Sequence, residues 1–491
     1  MKLKNLINGL IIADIKGNLD LDITSVCYDS RKAIKGSIFV AISGFSVDGH
    51  NFIGQAIKNG AKALVVEKDI KDIHVDGDIT IIKVNNARFA LAKIASNFYN
   101  NPSSELNLIG VTGTNGKTST TYLIKSIFEQ AKMNTGLIGT IGNIIGDEFI
   151  NTKNTTPESF ELQKMFRRMK DENFDSCVME VSSHSLELNR VAFCDFDIAL
   201  FTNLSRDHMD LHKNMENYLN AKVKLFNMSD KHNIVNIDDP HSNELIKKIN
   251  NPKAKLLTYG INNKADIFAT DISYSPRGID YIVHTPTGSI DIHVNIPGLI
   301  YVYNSLAAIA CAYACNISLE EIKEGINNVK GIRGRFEVVP TDTDYTVIID
   351  YAHTGDGLQK ALDTIDLFAK GRKIVVFGAG GEKGQDKRWE MGSVAGKNCD
   401  LSIVTSDNPK REDPKAIMTQ ITEAIKKENG KYVEIVDRKE AIEYALKIAQ
   451  LDDVILLAGK GHETEQIIGS EVFHFDEREI VLETLNKRKM A

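Results

Sequence analysis

The fold class of the middle of the chain follows from residues 106–132, LNLIGVTGTNGKTSTTYLIKSIFEQAK. An apolar run, LIGV, leads into the glycine-rich turn GTNGKT, and a long stretch with helical spacing of its apolar residues comes next. A strand that passes through such a turn into a helix holds an anion, because backbone N–H groups and the helix N-terminus direct partial positive charge at it. The segment therefore predicts phosphate binding in an α/β domain.

Two side chains of this turn favour a nucleotide over a simple anion. Lys117 adds a full positive charge, and the Thr118 hydroxyl can ligate Mg²⁺. The usual GxxxxGK[ST] spacing is not met, since Val111 stands where the first glycine belongs and Gly110 lies one residue early. A glycine-rich turn can also be purely structural, but strand, turn and helix in succession favour nucleotide binding.

Composition limits the class of protein. The chain has 491 residues, of which 42% are hydrophobic and 25% charged, and about one domain per 150 residues predicts three domains. No stretch approaches the roughly 20 apolar residues of a membrane span, and no cleavable signal is visible, so we expect a cytoplasmic protein without membrane insertion. A net charge of −7 with interspersed signs predicts no nucleic-acid partner. A monomer is the expected state.

The alternation of strands and helices predicts where these domains lie. Residues 1–100 contain the strand–helix–strand succession SIFVAI, HNFIGQAIKNGAK and ALVVE, a small α/β domain, and the segment NPSSELN has the composition of a linker. Residues 101–330 carry the strands DSCVMEV, DIALFTNL and HNIVNI beside the P-loop-like segment and predict a mostly parallel, ATPase-like sheet. Residues 331–491 predict a Rossmann-like domain from TVIID, KIVVFGAG, LSIVTSD, YVEIV and DVILLAGK.

Polar residues in the middle domain stand at predicted strand ends. Glu180 follows VM in VMEVSSHSLELNRV, and Asp207 and His208 lie in FTNLSRDHMDLH. Open α/β sheets bind ligands at such ends, and a carboxylate with a neutral imidazole can serve Mg²⁺, although His208 could equally cap a turn. In YLNAKVKLF, Lys222 and Lys224 lie on a predicted helix, where lysines are usually solvated.

Four predicted strands of the last domain also end in polar clusters. These are IIDYAHTGD, FGAGGEKGQDKR, TSDNPKRED and LLAGKGHETEQ. Each alone is explained by turn chemistry, but four at one edge of one sheet predict a cleft. The candidate side chains are Asp350, His353, Arg388, Asp407, Asn408, Lys410 and Glu463.

Taken in order, these motifs resemble the Mur ligases. GTNGKTS, NTTPES, MEVSSHSLELNRV, NLSRDHMDLH, YLNAKVKLF, GIRGRFE, DYAHTGD, GAGGEKGQDKR, DNPK and GKGHE together cover essentially the whole chain. The NTTP, DNPx and GKGHE segments are most similar to members that add the third peptide residue. The resemblance implies an N-terminal UDP-sugar domain, a central ATPase domain and a C-terminal amino-acid domain. It also implies ADP-forming ligation of a diamino acid to UDP-N-acetylmuramoyl-L-alanyl-D-glutamate through an acyl phosphate, in peptidoglycan precursor synthesis.

The resemblance also implies site residues. Its ATP contacts correspond to Gly113, Thr114, Asn115, Gly116, Lys117, Thr118, Ser119, Asn304 and Arg335. Its Mg²⁺ ligands correspond to Thr118, Glu180, His208 and a carbamylated Lys222, and its catalytic groups to Lys117, Glu180, His208 and Lys222. A carbamate makes Lys222 an oxygen ligand, whereas a bare ammonium would repel Mg²⁺. Two positions depart from the family pattern, namely Leu188, which is polar in some relatives, and Gly355, where proline is common.

The two remaining substrates have implied contacts of their own. Those for the UDP-sugar correspond to Tyr28, Ser30, Asn154, Thr155, Thr156, Ser182 and Arg190, and those for the amino acid to Arg388, Asp407, Asn408, Pro409, Lys410, Gly459 and Glu463. Lys410 stands where diaminopimelate-adding relatives usually have arginine. A cation there favours a distal carboxylate, so we expect meso-2,6-diaminopimelate rather than L-lysine or meso-lanthionine. Alternatively, Lys410 and Arg411 are a solvated basic pair.

Two other functions compete with this interpretation. A folate-polyglutamating ligase shares the ATPase chemistry, but residues 1–100 and the DNPx segment argue against it. A non-catalytic nucleotide-binding regulator is the second, and the presence of Lys117, Glu180 and Lys222 argues against that.

Overall fold

The computed structural model describes residues 1–44, 47–70, 78–275, 278–382 and 384–490. For residues 488–490 it describes the backbone only. Lys383 of the GAGGEKGQDKR motif lies outside the described residues. The chain divides into two units, Met1–Thr121 with Lys132–Thr258, and Tyr122–Ala131 with Tyr259–Ala491. No helix within the described ranges combines the length and apolar character needed to cross a membrane.

A small α/β sheet opens the first unit. Its strands pair in the order β1-β5-β4-β3-β2, and all but β1 are parallel. The elements are β1 Ile12–Lys16, β2 Ser25–Cys27, β3 Ser37–Val40, β4 Ala63–Val66 and β5 Thr80–Val84, with α1 Leu3–Leu6, α2 Ile53–Lys58 and α3 Ala87–Phe98. The predicted strand–helix–strand succession is confirmed. Its helix is shorter than HNFIGQAIKNGAK, because Asp48 caps a 3-10 turn over Gly49–Phe52 before α2 begins.

The second sheet of this unit is mostly parallel, as predicted. Strands pair in the order β12-β11-β6-β10-β7-β8-β9, and only β8 and β9 run antiparallel to their neighbours. The strands are β6 Asn107–Thr112, β7 Thr135–Ile138, β8 Asn143–Ile145, β9 Glu148–Ile150, β10 Ser176–Glu180, β11 Phe196–Phe201, β12 Ser229–Asn236 and β13 Lys255–Gly260. The helices are α4 Lys117–Gln130, α5 Ser159–Asp171, α6 Ser183–Glu187, α7 Met209–His212, α8 Met215–Phe226 and α9 Ser242–Lys248.

Parallel pairing decides where the polar strand ends of this sheet meet. Val111 of β6 pairs with Glu180 of β10 on one side and with Leu200 of β11 on the other. The residues that follow these three strands therefore leave the sheet at the same edge. The predicted linker before β6 is an ordered 3-10 turn, Pro102–Glu105, in which the Ser103 hydroxyl donates to Asp195.

The second unit contains an antiparallel meander, a six-stranded sheet and a two-stranded sheet. The meander, not predicted from the sequence, consists of β14 Ile267–Ser275, β15 Gly278–Thr285 and β16 Gly288–Val294, followed by α10 Leu299–Ala314 and α11 Leu319–Asn328. The Rossmann-like domain is confirmed, with strand order β17-β18-β22-β19-β20-β21 and only β17 antiparallel. The strands of this sheet are β17 Glu337–Val338, β18 Thr346–Asp350, β19 Lys373–Phe377, β20 Leu401–Val404, β21 Tyr432–Glu434 and β22 Val454–Ala458. Two further strands, β23 Glu465–Ile468 and β24 Glu471–His474, pair with each other in a separate antiparallel sheet. The helices of this domain are α12 Gly355–Asp366, α13 Gln385–Asn398, α14 Pro414–Lys427, α15 Arg438–Ile448 and α16 Glu477–Met490.

A buried ion pair joins the first turns of α15 and α16. The side chains of Arg438 and Glu477 are both 0% exposed, and Arg438 Nε donates to Glu477 Oε1 at 2.8 Å. Arg438 Nη2 also donates to the carbonyl of Ala458 at 2.8 Å, at the end of β22. This arginine therefore fixes the backbone from which the GKGHE loop departs.

We expect Arg438→Met to destabilise the C-terminal domain by about 3–5 kcal/mol, because Glu477 would remain buried without its partner. Replacing both residues, Arg438→Met with Glu477→Leu, should recover most of that loss. The single tryptophan, Trp389, lies in α13, so its fluorescence during urea unfolding reports on this domain. Lys439→Met, on the exposed side of α15, is the matched control. A double variant no more stable than Arg438→Met would contradict the prediction.

Candidate active site

The turn between β6 and α4 is built around two glycines in left-handed backbone. Gly113 has φ +151° and Gly116 has φ +85°. A Cβ on Gly113 would lie 1.9 Å from Thr202 Oγ1, so no larger residue fits there. Lys117 Nζ donates to the carbonyls of Gly113 and Thr114, both at 2.9 Å, which places its charge within the turn.

Residues that follow β11 hold this turn in place. Thr114 N donates to the Asn203 carbonyl at 2.8 Å, and Asn115 N donates to Asn203 Oδ1 at 2.9 Å. Thr202 Oγ1 donates to the Asn115 carbonyl at 2.7 Å. The structure thus brings together the predicted loop from Gly113 to Ser119 at one sheet edge.

The other two predicted ATP contacts belong to the second unit. Asn304 is buried on α10. The guanidinium carbon of Arg335 lies 4.8 Å from the centre of the Tyr351 ring, and the Arg335 carbonyl accepts a hydrogen bond from Tyr301. Within their unit, each is therefore held in a defined position.

Glu180 is a buried carboxylate whose two oxygens have defined donors. Oε1 accepts from Thr118 Oγ1 at 3.0 Å and from Thr140 N at 2.8 Å, while Oε2 accepts from Thr140 Oγ1 at 3.0 Å. A Cβ on Gly139 would lie 2.5 Å from Oε1, so glycine is needed for this approach. The two predicted oxygen ligands of Mg²⁺, Thr118 and Glu180, are in direct contact.

Burial distinguishes the two lysines of α8, of which the resemblance to the Mur ligases favours Lys222. The Lys222 residue is 1% exposed, its Nζ lies 4.5 Å from the centre of the Tyr218 ring, and no carboxylate among the described residues is within ion-pair distance. Burial, reinforced by the charge of Lys117, places the pKa of Lys222 well below that of an ordinary lysine. Lys224 instead forms an exposed ion pair with Glu187 at 2.8 Å. Lys222 is therefore not a solvated surface lysine.

His208 stands at the N-terminus of α7 with a left-handed φ of +54°. Its Nε2 lies 3.4 Å from Asp207 Oδ2, and its ring packs edge-on against His184 at 4.7 Å. Desolvation, reinforced by His184 and Lys117 and opposed by Asp207, lowers the pKa of His208 to about 4. The imidazole is therefore neutral at neutral pH, the form in which it binds a metal.

The side chains at this site supply some of the oxygen ligands that Mg²⁺ requires. Within the described ranges, no three His, Cys, Asp or Glu side chains form a ready cluster for a metal ion. Thr118 and Glu180 nonetheless offer adjacent oxygens, and Mg²⁺ typically takes one or two carboxylates and completes its shell with substrate phosphates and water. The donor set fits that pattern of binding.

Three predicted UDP-sugar residues meet at the end of β10. Thr156 Oγ1 donates to the Glu180 carbonyl at 2.8 Å, Ser182 N donates to Thr156 Oγ1 at 3.1 Å, and Arg190 Nη1 donates to the Thr156 carbonyl at 3.0 Å. Glu158, which the sequence reasoning missed, lies 2.8 Å from Arg190 Nε and also pairs with Arg88 at 3.3 Å.

The other four predicted UDP-sugar residues belong to the same unit. Tyr28 and Asn154 line a cavity of about 580 Å³. Tyr28 donates to Glu161 Oε2 at 3.0 Å, and burial raises the pKa of Glu161. Thr155 accepts from Thr140 at 3.0 Å, and Ser30 is buried at the start of a 3-10 turn.

The predicted amino-acid contacts fall into two groups. Asn408 Nδ2 donates to Glu463 Oε2 at 3.0 Å, and a Cβ on Gly459 would lie 2.9 Å from Asp407 Oδ2, so these four residues form one cluster. Pro409 continues that loop, where its carbonyl leaves no room for a side chain at Gly381.

The basic residues form the second group, and each has an acidic partner. Lys410 Nζ lies 3.4 Å from Glu382, with both side chains partly exposed. Buried Arg388 pairs with Glu412 at 2.6 Å, and Glu412 also accepts from Glu382 N at 2.6 Å. The sequence analysis singles out neither glutamate, because each is far along the chain from its basic partner.

Comparison with known proteins identifies the family of the chain. Three family models match the chain: Mur ligase family, catalytic domain at residues 22–99, Mur ligase middle domain at 111–312, and Mur ligase, glutamate ligase domain at 334–461. A UDP-N-acetylmuramoyl-L-alanyl-D-glutamate–2,6-diaminopimelate ligase of Caldanaerobacter subterraneus subsp. tengcongensis is 52% identical over 485 residues, covering 99% of each chain. One of Alkaliphilus oremlandii is 46% identical over 487 residues, again covering 99% of each. A solved structure of an enzyme with that name has a TM-score of 0.70 at 29% identity, covering 100% of this chain and 99% of its own. The chain therefore belongs to the Mur ligase family.

Proposed function

We propose that the protein is an ATP-dependent, ADP-forming ligase that joins meso-2,6-diaminopimelate to the D-glutamate residue of UDP-N-acetylmuramoyl-L-alanyl-D-glutamate. The observation that carries this proposal is the 52% identity, over 99% of both chains, to a ligase named for these two substrates. The reaction makes a precursor of peptidoglycan. We further propose a cytoplasmic location, where ATP is available, and a monomeric state.

The proposed chemistry has two steps. The free carboxylate of the D-glutamate residue attacks the γ-phosphorus of ATP, which forms an acyl phosphate and releases ADP. The amine of diaminopimelate then attacks the acyl carbon, phosphate leaves, and the amine loses a proton as the amide forms. Lys117, whose ammonium lies within the turn, is proposed to neutralise charge on the transferring phosphoryl group, and the turn is proposed to supply positioning.

Four residues are proposed to hold Mg²⁺: Thr118, Glu180, His208 and Lys222 as a carbamate. When bound, Mg²⁺ would reduce the negative charge on the phosphates. The lowered pKa of Lys222 supports the modification, because only the neutral amine reacts with CO₂, and the carbamate would supply oxygen atoms for the metal. Contact between Thr118 and Glu180 supports the first two assignments.

For the acceptor, Lys410 and Glu463 are proposed to bind the distal end of diaminopimelate, with Asp407, Asn408, Pro409 and Gly459 shaping the pocket. Glu382 accompanies Lys410, but an ion pair at 3.4 Å between partly exposed side chains is weak, so a ligand carboxylate can replace it. L-lysine would instead bring a distal ammonium beside Lys410. Arg388 is proposed to act through Glu412, its observed partner.

Lys117→Ala should lower ATP-dependent ligation by at least about 100-fold, since the turn would lose its one full positive charge. ADP release that requires both the UDP-linked dipeptide and the amino acid is the assay. Lys125→Ala, which removes a lysine paired with Glu129 on the same helix, should stay near wild type. Near-normal turnover by Lys117→Ala would refute the role of the turn, and ADP release independent of both substrates would refute ligation.

Lys222→Ala should be nearly inactive and regain part of its activity when formate or acetate is added, because a small carboxylate can occupy the place of the carbamate. Lys224→Ala is the matched control and should retain activity, since that lysine forms only an exposed ion pair. Full activity of Lys222→Ala without any added carboxylate would remove Lys222 from the site.

The choice of acceptor is tested with meso-diaminopimelate, L-lysine and meso-lanthionine. Wild type should have the highest kcat/KM for meso-diaminopimelate. Lys410→Ala should lower that value by about tenfold or more while leaving L-lysine use unchanged or improved, because the removed cation attracts a distal carboxylate and repels an ammonium. Efficient L-lysine ligation by wild type would overturn the proposed acceptor.

A further inference from the structure

Lys460 is a fully buried lysine that does not belong to the site residues expected from the sequence. It follows β22, is 0% exposed, and stands between Gly459 and Gly461, whose φ values are +115° and +55°. Lysine is almost never fully buried unless its charge is paired. The contacts of its ammonium therefore define what it does.

Those contacts form a closed network with two proposed acceptor-binding residues. Lys460 Nζ donates to Glu463 Oε2 at 3.0 Å and to Asn408 Oδ1 at 3.2 Å, while Asn408 Nδ2 donates to the same Glu463 oxygen at 3.0 Å. The backbone N–H of Ile467 also donates to Asn408 Oδ1 at 3.0 Å. With two donors at its oxygen and a carboxylate at its nitrogen, the Asn408 amide has one satisfied orientation.

The network constrains how Glu463 faces a ligand. Oε2 receives two donors, whereas Oε1 accepts no hydrogen bond from the described residues, so the carboxylate is held by one oxygen and presents the other. Burial of Lys460 beside the Phe475 ring, 5.8 Å from Nζ to its centre, means that water cannot take over the contact. Without the ammonium, Glu463 would keep only Asn408 as a donor.

We infer that Lys460 is a positioning residue for the amino-acid acceptor: it fixes the Glu463 carboxylate and the Asn408 amide in the orientation that receives the acceptor's distal amine. This inference rests on the proposed function, which supplies the acceptor. Lys460 itself is buried behind these two side chains and acts through them.

Lys460→Met tests it, because methionine keeps an unbranched apolar stem and lacks the ammonium. The KM for meso-diaminopimelate should rise about tenfold, the effect expected within one hydrogen-bond network, while the KM values for ATP and for the UDP-linked dipeptide change by less than about twofold. Lys447→Met, an exposed lysine of α15, removes the same charge and should leave all three KM values unchanged. A rise in all three KM values, or in none, would overturn the inference.

A double-mutant cycle with Glu463→Gln separates positioning from general support of the fold. If Lys460 acts through Glu463 and Asn408, the loss of kcat/KM for diaminopimelate in Lys460→Met with Glu463→Gln is smaller than the product of the two single losses. Multiplicative losses would show an independent, structural role. Trp389 fluorescence in urea checks folding, and Lys460→Gln, which keeps a polar head, replaces Lys460→Met if that variant does not fold. Failure of wild type to use diaminopimelate overturns the proposed function, whereas an active wild type with multiplicative losses overturns only this inference.

Discussion

Parallel pairing of three adjacent strands, β10, β6 and β11, is the constraint on which the candidate active site depends. It brings the residues after Val111, Glu180 and Phe201 to one edge of the sheet, although these segments are about 70 and 20 residues apart in the chain. Thr118 can reach Glu180, and Asn203 can hold the phosphate turn, only because of this register. A shift of one residue would reverse the faces of a strand and separate these groups.

Much of this arrangement could be predicted because its signals are local. A strand, a glycine-rich turn and a helix occupy consecutive residues, and strand ends rich in polar residues mark the edge where ligands bind. The same reasoning applied to the Rossmann-like strands of residues 331–491. The antiparallel meander β14 to β16 was missed, since its strands are partly exposed and carry no turn motif as distinctive as GTNGKT.

Burial and pairing, by contrast, arise only when distant segments fold together. Nothing in YLNAKVKLF distinguishes Lys222 from Lys224, and only the packing of α8 leaves one buried and the other paired with Glu187. Lys460 was visible in GKGHE, but its partners Asn408 and Glu463 come from two different loops. The burial and pairing of a charged side chain therefore depend on tertiary contacts, whereas turns and strands follow from residues that are close together in the sequence.

The environment of Lys222 has a consequence for how the protein matures. An ordinary lysine is protonated at neutral pH and is a poor nucleophile, whereas burial beside Lys117 lowers the pKa of Lys222 and so favours the neutral, nucleophilic amine. Its proposed carbamate would then form by spontaneous addition of dissolved CO₂, with no dedicated modifying enzyme. Carbamylation of Lys222 would then depend on the folded environment and on the bicarbonate supply of the cell. Any host that folds the chain and supplies CO₂ would also carbamylate this lysine.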